Sequence, residues 1–261
     1  VLVPPRTRHI CFTGIRRYYD RINDQNIFKE HLLHDAYNEA KMLWEIYNNN
    51  QNKALESIKY SFADIGNIIK GDDMLNDELS EKMKNIFHRI NSKNTQNTHD
   101  GNKWWHENKE KVWNVMMCHY NGDEKDYRCT EYNDIDKNPQ FLRWLTEWAK
   151  LFCDEKQKEA EQVVNKCLEK TKIGNVKKIS DIKNVKCKHI LQRYKYWYVQ
   201  RKNQWDGLQK QYKTYIKNHS SSEGEQQLPP NADQYITSKC PECDCNYKDL
   251  EEMYKKITEG N

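Results

Sequence analysis

The stretch NIFKEHLLHDAYNEAKMLWEIY, Asn26–Tyr47, sets Ile27, Phe28, Leu32, Leu33, Ala36, Ala40, Leu43, Trp44 and Tyr47 three and four residues apart, with charges between them. That period places the apolar side chains on one face of an α-helix and the charges on the other. The same pattern recurs on both sides. Leu55, Ile58, Phe62, Ile65 and Ile69 predict a second helix over 53–70, with Gly71 as its stop. Leu75, Leu79, Met83, Ile86, Phe87 and Ile90 predict a third over 73–90, and Trp104, Trp105, Val112, Met116 and Met117 a fourth over 103–120. The polar run 91–102 between the last two reads as an exposed loop.

Asn138-Pro139 then opens a longer element, with Asn as N-cap and Pro at the first helical position. Phe141, Leu142, Leu145, Trp148, Ala149, Phe152, Val163, Val164 and Cys167 hold helical spacing toward Lys172, enough for a helix of roughly 50 Å. A second long helix follows from about Ser180 to Asn218. Its apolar positions include Ile182, Ile190, Leu191, Tyr194, Trp197, Tyr198, Trp205, Leu208, Tyr212, Tyr215 and Ile216. A Ser- and Pro-containing loop over 218–231, a cysteine-rich segment and a last helix over 247–257 complete the chain. Six prolines and nine glycines in 261 residues are too few for a sandwich or barrel of many short strands. The expected fold is therefore all-α, with a helical bundle over 1–137 and an antiparallel pair of long helices with a C-terminal cap over 138–261.

Eight tryptophans and sixteen tyrosines argue for a packed core despite 31% charged residues. Nine cysteines, from Cys11 to Cys245 and without a doubled CxxC spacing, favour disulfides in an oxidising compartment. We expect Cys118, Cys129, Cys153, Cys167, Cys187, Cys240, Cys243 and Cys245 to form four bridges, leaving one odd cysteine. Cys118 and Cys129 are close enough to staple one short loop and are the first single pair expected. Cys240, Cys243 and Cys245 are expected to tie the C-terminal cap to the long helices. The competing reading is a zinc site of Cys240 and Cys243 with Cys187 and His189. His31 and His34 share a helix face but lack a Glu between them.

No stretch approaches the roughly 20 apolar residues of a membrane span, and Val1-Leu2-Val3-Pro4-Pro5 lacks the build of a signal peptide. The expectation is that an export signal and an anchor lie elsewhere. Nucleophile-elbow, zinc-protease, P-loop and dinucleotide motifs are missing, so no catalytic residue and no cofactor is expected. Asn218-His219-Ser220 is the single glycosylation sequon, in a predicted exposed loop.

The charge distribution is the strongest functional signal. Residues 172–217 hold thirteen Lys or Arg against Asp181 and Asp206, a net +11 that leaves the rest of the chain at −7. Such a density concentrates polyanions, although a charged helix face is often only a solvated one. Lys195, Lys202, Lys213 and Lys217 flank the apolar stripe rather than occupying it, with Arg201 and Lys210 next. These six are the candidate ligand-binding residues. Tyr196 lies off the stripe and is the aromatic expected to be exposed. A second basic group, Arg6, Arg8, Arg16, Arg17 and Arg21, opens the chain.

Several blocks together carry a family resemblance: Pro4-Pro5-Arg6 leading to Cys11-Phe12, Ile68-Ile69-Lys70-Gly71 with Asp73-Met74, and Trp104-Trp105 with Trp113 and Cys118. To these add Pro139-Gln140-Phe141-Leu142-Arg143-Trp144 with Glu147-Trp148 and Cys153, and Lys239-Cys240-Pro241-Glu242-Cys243-Asp244-Cys245. In this order, over nearly the whole chain, they resemble the Duffy-binding-like domains of malaria-parasite surface adhesins. Within these, the variant erythrocyte membrane proteins and an epsilon-like class are most similar. The resemblance implies a non-enzymatic, disulfide-stapled adhesion domain, extracellular on the infected erythrocyte as part of a membrane-anchored protein. It also implies the two-subdomain helical core.

Three functions follow as expectations. The domain binds a host receptor that is a sulfated glycosaminoglycan such as chondroitin sulfate; or it captures a host protein such as immunoglobulin M; or, outside the family, it is a zinc-containing nucleic-acid binder. Antibodies and neighbouring domains of the same ectodomain are further expected partners, and no specific nucleic acid is.

Overall fold

The computed structural model describes residues 2–47, 50–92, 100–119, 135–163, 167, 185–219, 228–241 and 243. Among them there is no strand. Eight α-helices are present: α1 Thr13–Arg17, α2 Gln25–Ile46, α3 Gln51–Lys70, α4 Glu78–Ser92, α5 Gly101–Met116, α6 Gln140–Val163, α7 Val185–His219 and α8 Ala232–Lys239. No helix among the described residues is long and apolar enough to cross a membrane. The predicted helix over 247–257 lies outside the described residues. So do most of the connection between the long helices and the loop segment 220–227.

Local chemistry sets the boundaries. Asp24, Asn50, Asp100 and Asn231 cap α2, α3, α5 and α8 by accepting hydrogen bonds from backbone N–H groups of the first turn. Gly71 ends α3 in the left-handed region, φ 79°, where a side chain is strained. α4 begins at Glu78 rather than at Asp73, as the periodicity predicted. The Asp77 carboxylate caps it by accepting from Leu79 and Ser80 N–H, at 2.9 and 3.1 Å, and Asp73 is drawn into the interior instead.

The chain forms two compact units, 3–144 and 145–261. Their junction falls inside α6, seven residues beyond the expected Lys137–Asn138 boundary. In the first unit the apolar faces of α2, α3, α4 and α5 meet in one core. Phe28 packs edge-on against Phe87 and Trp104, and Phe62 edge-on against Trp113 and tilted against Trp105, with centroids 4.9–5.3 Å apart. Gly101 lets α5 start against α3: a Cβ there would come within 1.9 Å of the Ile69 carbonyl oxygen.

A buried polar network explains the position of the junction. Asp64, fully buried on α3, accepts from Arg6 Nη2 at 2.7 Å, Thr7 Oγ1 at 2.8 Å, Arg143 Nη2 at 2.8 Å and Trp144 Nε1 at 3.2 Å. Gln140 donates to Asp73 Oδ1 at 2.7 Å and accepts from Met74 N–H at 2.7 Å. The first turn of α6 is thereby tied to the first unit, and the Gln-Phe-Leu-Arg-Trp block gains a physical role. Burial alone would raise the Asp64 carboxyl, but Arg6 and Arg143 outweigh it and hold it below the usual carboxylate range.

Three other carboxyls shift the opposite way. Burial raises Glu39, which accepts from Ser61 Oγ and Cys11 N–H, and likewise raises Asp35 and Asp73. A carboxyl raised in the folded state binds its proton more tightly than the unfolded chain does. Stability therefore grows as pH falls through the folded-state value and is complete below the unfolded one, near 4.5 for Glu. Asp64 works in the opposite sense, losing its contribution only as pH drops below 3.8. The expected result is a thermal midpoint higher at about pH 5 than at about pH 7.5, falling again in stronger acid, with Glu39→Gln flattening the rise. A midpoint that climbs steadily from about pH 5 to 7.5 would contradict it.

In the second unit α6 and α7 carry a stack of rings. Trp205, Trp148, Phe152 and Trp197 lie nearly parallel, with centroids 5.2–5.7 Å apart. α8 packs on α7 through Tyr212 and Tyr235, and the Tyr212 hydroxyl donates to the Pro229 carbonyl at 2.8 Å. This helix, unforeseen in the sequence, follows Pro229-Pro230 and is capped by Asn231. Asn218 of the sequon lies in the last turn of α7, not in a loop, and Ser220 falls outside the described residues.

The cysteine pairing departs from expectation. Cys167 bonds Cys187, and Cys240 bonds Cys243 within the CxxC turn instead of tying it to a long helix. Cys153 is in a third bridge. Cys118 is a free, exposed thiol on the turn after α5, donating to the Asn114 carbonyl, so the expected Cys118–Cys129 staple is not formed. Cys11 is also free. Two free thiols among the described cysteines leave room for at most three bridges, not four. Cys129 and Cys245 lie outside the described residues.

Candidate functional site

α7 is continuous over 35 residues, and this fixes which of its charges share a face. At about 100° per residue the buried Cys187, Leu191, Tyr194, Tyr198, Trp205, Leu208 and Tyr212 occupy an arc of about 100°. Lys188, Lys195, Lys202, Lys210, Lys213 and Lys217 occupy a different arc, about 80° wide. Lys188 is half-buried and the other five are exposed. Together they form a ridge about 44 Å long at 1.5 Å per residue.

Arg201 is not part of this ridge. It falls within the buried arc, one turn from Tyr198 and Trp205, and its guanidinium donates through Nε and Nη2 to Glu155 Oε2 at 2.9 and 2.5 Å. Trp197 Nε1 donates to the same oxygen at 2.9 Å. Gln204 Oε1 accepts from Arg201 Nη1 at 2.7 Å and from Trp148 Nε1 at 3.1 Å. Arg201 thus satisfies polar groups of the helix–helix seam. About two turns toward the N-terminus, Arg193 takes the carboxylate of Glu159 at 2.9 Å and also contacts Gln162. The two arginines of α7 serve α6, and the exposed stripe is built of lysine. Counting 100° per residue from Tyr198 could have moved Arg201 out of the candidate set from the sequence alone.

Within the ridge arc, Lys202 pairs with Asp206 at 3.2 Å, an i,i+4 contact between half-exposed side chains of the kind that contributes little to stability. Val199, 42% exposed, lies inside the arc. Tyr196 and Val185, 66% and 68% exposed, lie at its margin. Sequence reasoning singled out Tyr196 but missed the two valines, whose exposure is evident only once the buried arc is located.

The N-terminal basic group divides in the same way. Arg6 is committed to Asp64, whereas Arg8, Arg16, Arg17 and Arg21 are exposed. Arg17 and Arg21 lie 5.5 and 5.8 Å from the Tyr18 ring, which stacks on His31 at 4.8 Å. The zinc reading loses its ligands, since Cys187, Cys240 and Cys243 are in disulfides. Among the described residues no group of three or more His, Cys, Asp or Glu could hold a metal ion.

Comparisons with known proteins agree with this architecture. The Duffy binding domain family matches residues 1–146. The chain is 30% identical over 221 residues to the Duffy receptor beta form of Plasmodium knowlesi, covering 80% of this chain and 19% of that protein. It is 28% identical over 221 residues to the Duffy receptor of Plasmodium vivax (strain Salvador I), covering 80% and 20%. The chain therefore spans about a fifth of the length of these curated relatives. Among solved structures it is similar to erythrocyte binding antigen 140 of Plasmodium falciparum, with TM-score 0.75, 28% identity, and coverage of 97% of this chain and 42% of that one. The same protein's region II has been solved in complex with sialyllactose, with the same similarity. A DBLb domain of PfEMP1 bound to human ICAM-1 matches with TM-score 0.66 at 25% identity, covering 98% and 61%.

Proposed function

The chain belongs to the Duffy binding domain family, whose members are receptor-binding adhesion modules and not enzymes, and from that premise we propose that it binds an anionic glycan of the host cell surface. The lysine ridge of α7 carries this reading. Six lysines on one arc, five of them exposed, with both arginines of the same helix paired to carboxylates of α6, present a field that concentrates a polyanion. A sulfated glycosaminoglycan such as chondroitin sulfate is the leading ligand. The relative solved with sialyllactose supports an acidic sugar as the ligand class. The reading also places the domain extracellularly, within a membrane-anchored adhesin of a malaria parasite.

Charge reversal tests it. Lys202, Lys213 and Lys217 are exposed, so changing all three to Glu should leave the helical signal intact, with each substitution within about 0.5 kcal/mol. Retention on a heparin column and binding to immobilised chondroitin sulfate at physiological salt should fall at least about tenfold, because the attraction of a polyanion to exposed lysines is a screened, long-range effect. Unchanged retention in a folded triple variant would remove the ridge from the site and favour capture of a host protein such as immunoglobulin M.

A further inference from the structure

We infer that the outward face of α7 over 185–203 docks an amphipathic helix of a protein partner, one whose apolar heptad seam is flanked by Asp and Glu. This goes beyond the anionic-glycan reading. It concerns the uncharged stripe beside the lysines and stands even if the ridge takes no glycan.

The stripe itself is the first observation. Val185, His189, Gln192, Tyr196, Val199 and Asn203 alternate steps of four and three residues, and all six are exposed. At about 100° per residue they fill an arc of about 80°, centred opposite the buried arc of the same helix. None of the six is Asp, Glu, Lys or Arg, although α7 is otherwise dense in cations, and Lys210 is the next charge to enter the arc. Val185, Tyr196 and Val199 are among the few large apolar side chains that the described residues leave exposed, so this face gathers apolar surface rather than merely lacking charge.

Its period selects the shape of the occupant. Alternating four- and three-residue steps make the seam of a two-stranded coiled coil, with Val185, Gln192 and Val199 at d and His189, Tyr196 and Asn203 at a. Both rows drift by about 20° per heptad in the same sense, so the seam keeps its width over about 27 Å and a second helix follows it by supercoiling. Knobs at this repeat interdigitate with a matching helical repeat, and a polar Asn at one a position fixes the register.

Charge selects the chemistry of the occupant. Lys188, Lys195 and Lys202 take the three g positions, and Lys186 and Arg193 the first two e positions, followed by Gln200. Residues at e and g set partner choice through interhelical ion pairs. Glu159 already answers Arg193 from within the chain, which leaves the lysine row as the main determinant. A second copy of this helix would set basic flank against basic flank in either orientation, an arrangement that like charges disfavour. A helix with Glu or Asp at e and g complements it.

The test titrates the whole chain with a labelled synthetic peptide of about three heptads, Leu at a and d and Glu at e and g, read by fluorescence anisotropy. Its controls are the same peptide with Lys at e and g, a scramble of the Glu peptide that destroys the heptad, and poly-glutamate of matched charge. The Glu peptide is expected to bind at least about tenfold more tightly than each control. Tyr196→Ala with Val199→Ala should weaken it about tenfold and leave heparin-column retention unchanged, because every lysine is kept. Lys195→Glu with Lys202→Glu, in a chain whose helical signal is intact, should move the preference to the Lys peptide. Scrambled peptide or poly-glutamate binding as tightly as the Glu peptide would overturn helix docking and reduce the face to polyanion attraction, with the anionic-glycan reading untouched. A preference that does not switch with the two lysines, or a Tyr196 and Val199 double variant that binds the Glu peptide as before, would overturn it as well.

Discussion

Asp64→Asn should cost about 3–5 kcal/mol, a large share of the 5–15 kcal/mol that separates a folded domain from its unfolded chain. The substitution keeps the shape and removes the charge. Arg143, 2% exposed, would then be a buried cation without its counter-ion, and Arg6, 9% exposed, would lose its own. The new amide would also turn a donor toward donors, because Arg6, Thr7, Arg143 and Trp144 all donate to this carboxylate. Urea denaturation followed by tryptophan fluorescence reads the loss as a lower midpoint with little change in slope. A cost below about 1 kcal/mol would show that water or relaxation replaces the carboxylate, and that the network does not anchor α6. Pairing Asp64→Asn with Arg143→Met isolates the Asp64–Arg143 coupling, expected at about 1–3 kcal/mol, because the loss at Arg6 is common to both backgrounds.

Replacing Cys167 and Cys187 with alanine should cost about 3 kcal/mol, the loop-closure value for cysteines 20 residues apart. Both are fully buried, and Cys187 lies in the first turn of α7, so the loss should appear first at that end of the helix. Hydrogen exchange across the first turns of α7 is expected to accelerate about a hundredfold, while the protection around Trp205 and Leu208 changes less. Lys188, half-buried beside Cys187, should then lose its fixed place in the ridge. Uniform acceleration along all of α7 would show instead that the bridge stabilises the helix as a whole.

These predictions depend on features that differ in how far the sequence discloses them. The 3.6-residue period located α2, α3 and α5 to within a few residues, because their apolar residues keep helical spacing and each has a capping residue at its start, even though α3 is buried on every side over 60–69. The long helices were legible from the same spacing, with α6 buried all round over 140–149. α8 was not: eight residues after Pro229-Pro230 are too short for the period to register, and only Tyr212 and Tyr235 across the contact show why it forms. The start of α4 was placed too early because Leu75 keeps the apolar spacing, whereas the neighbouring Asp73 is in space a buried acceptor for Gln140 and Ser80.

The sequence by itself determined that the chain is helical, that its cysteines favour bridges, and that an excess of cations gathers on α7, because periodicity, composition and charge are properties of a one-dimensional string. Only the tertiary structure decided which cations are exposed and which sulfurs pair. Arg201 and Lys202 are neighbours in sequence, yet one faces Glu155 in the seam and the other faces solvent, since a single residue rotates the side chain by about 100°. Arg6 and Asp64 meet across 58 residues, and Cys118 is free although Cys129 is near it in the chain. Such pairings depend on which faces the packed helices bring within bonding distance, and no local spacing encodes that.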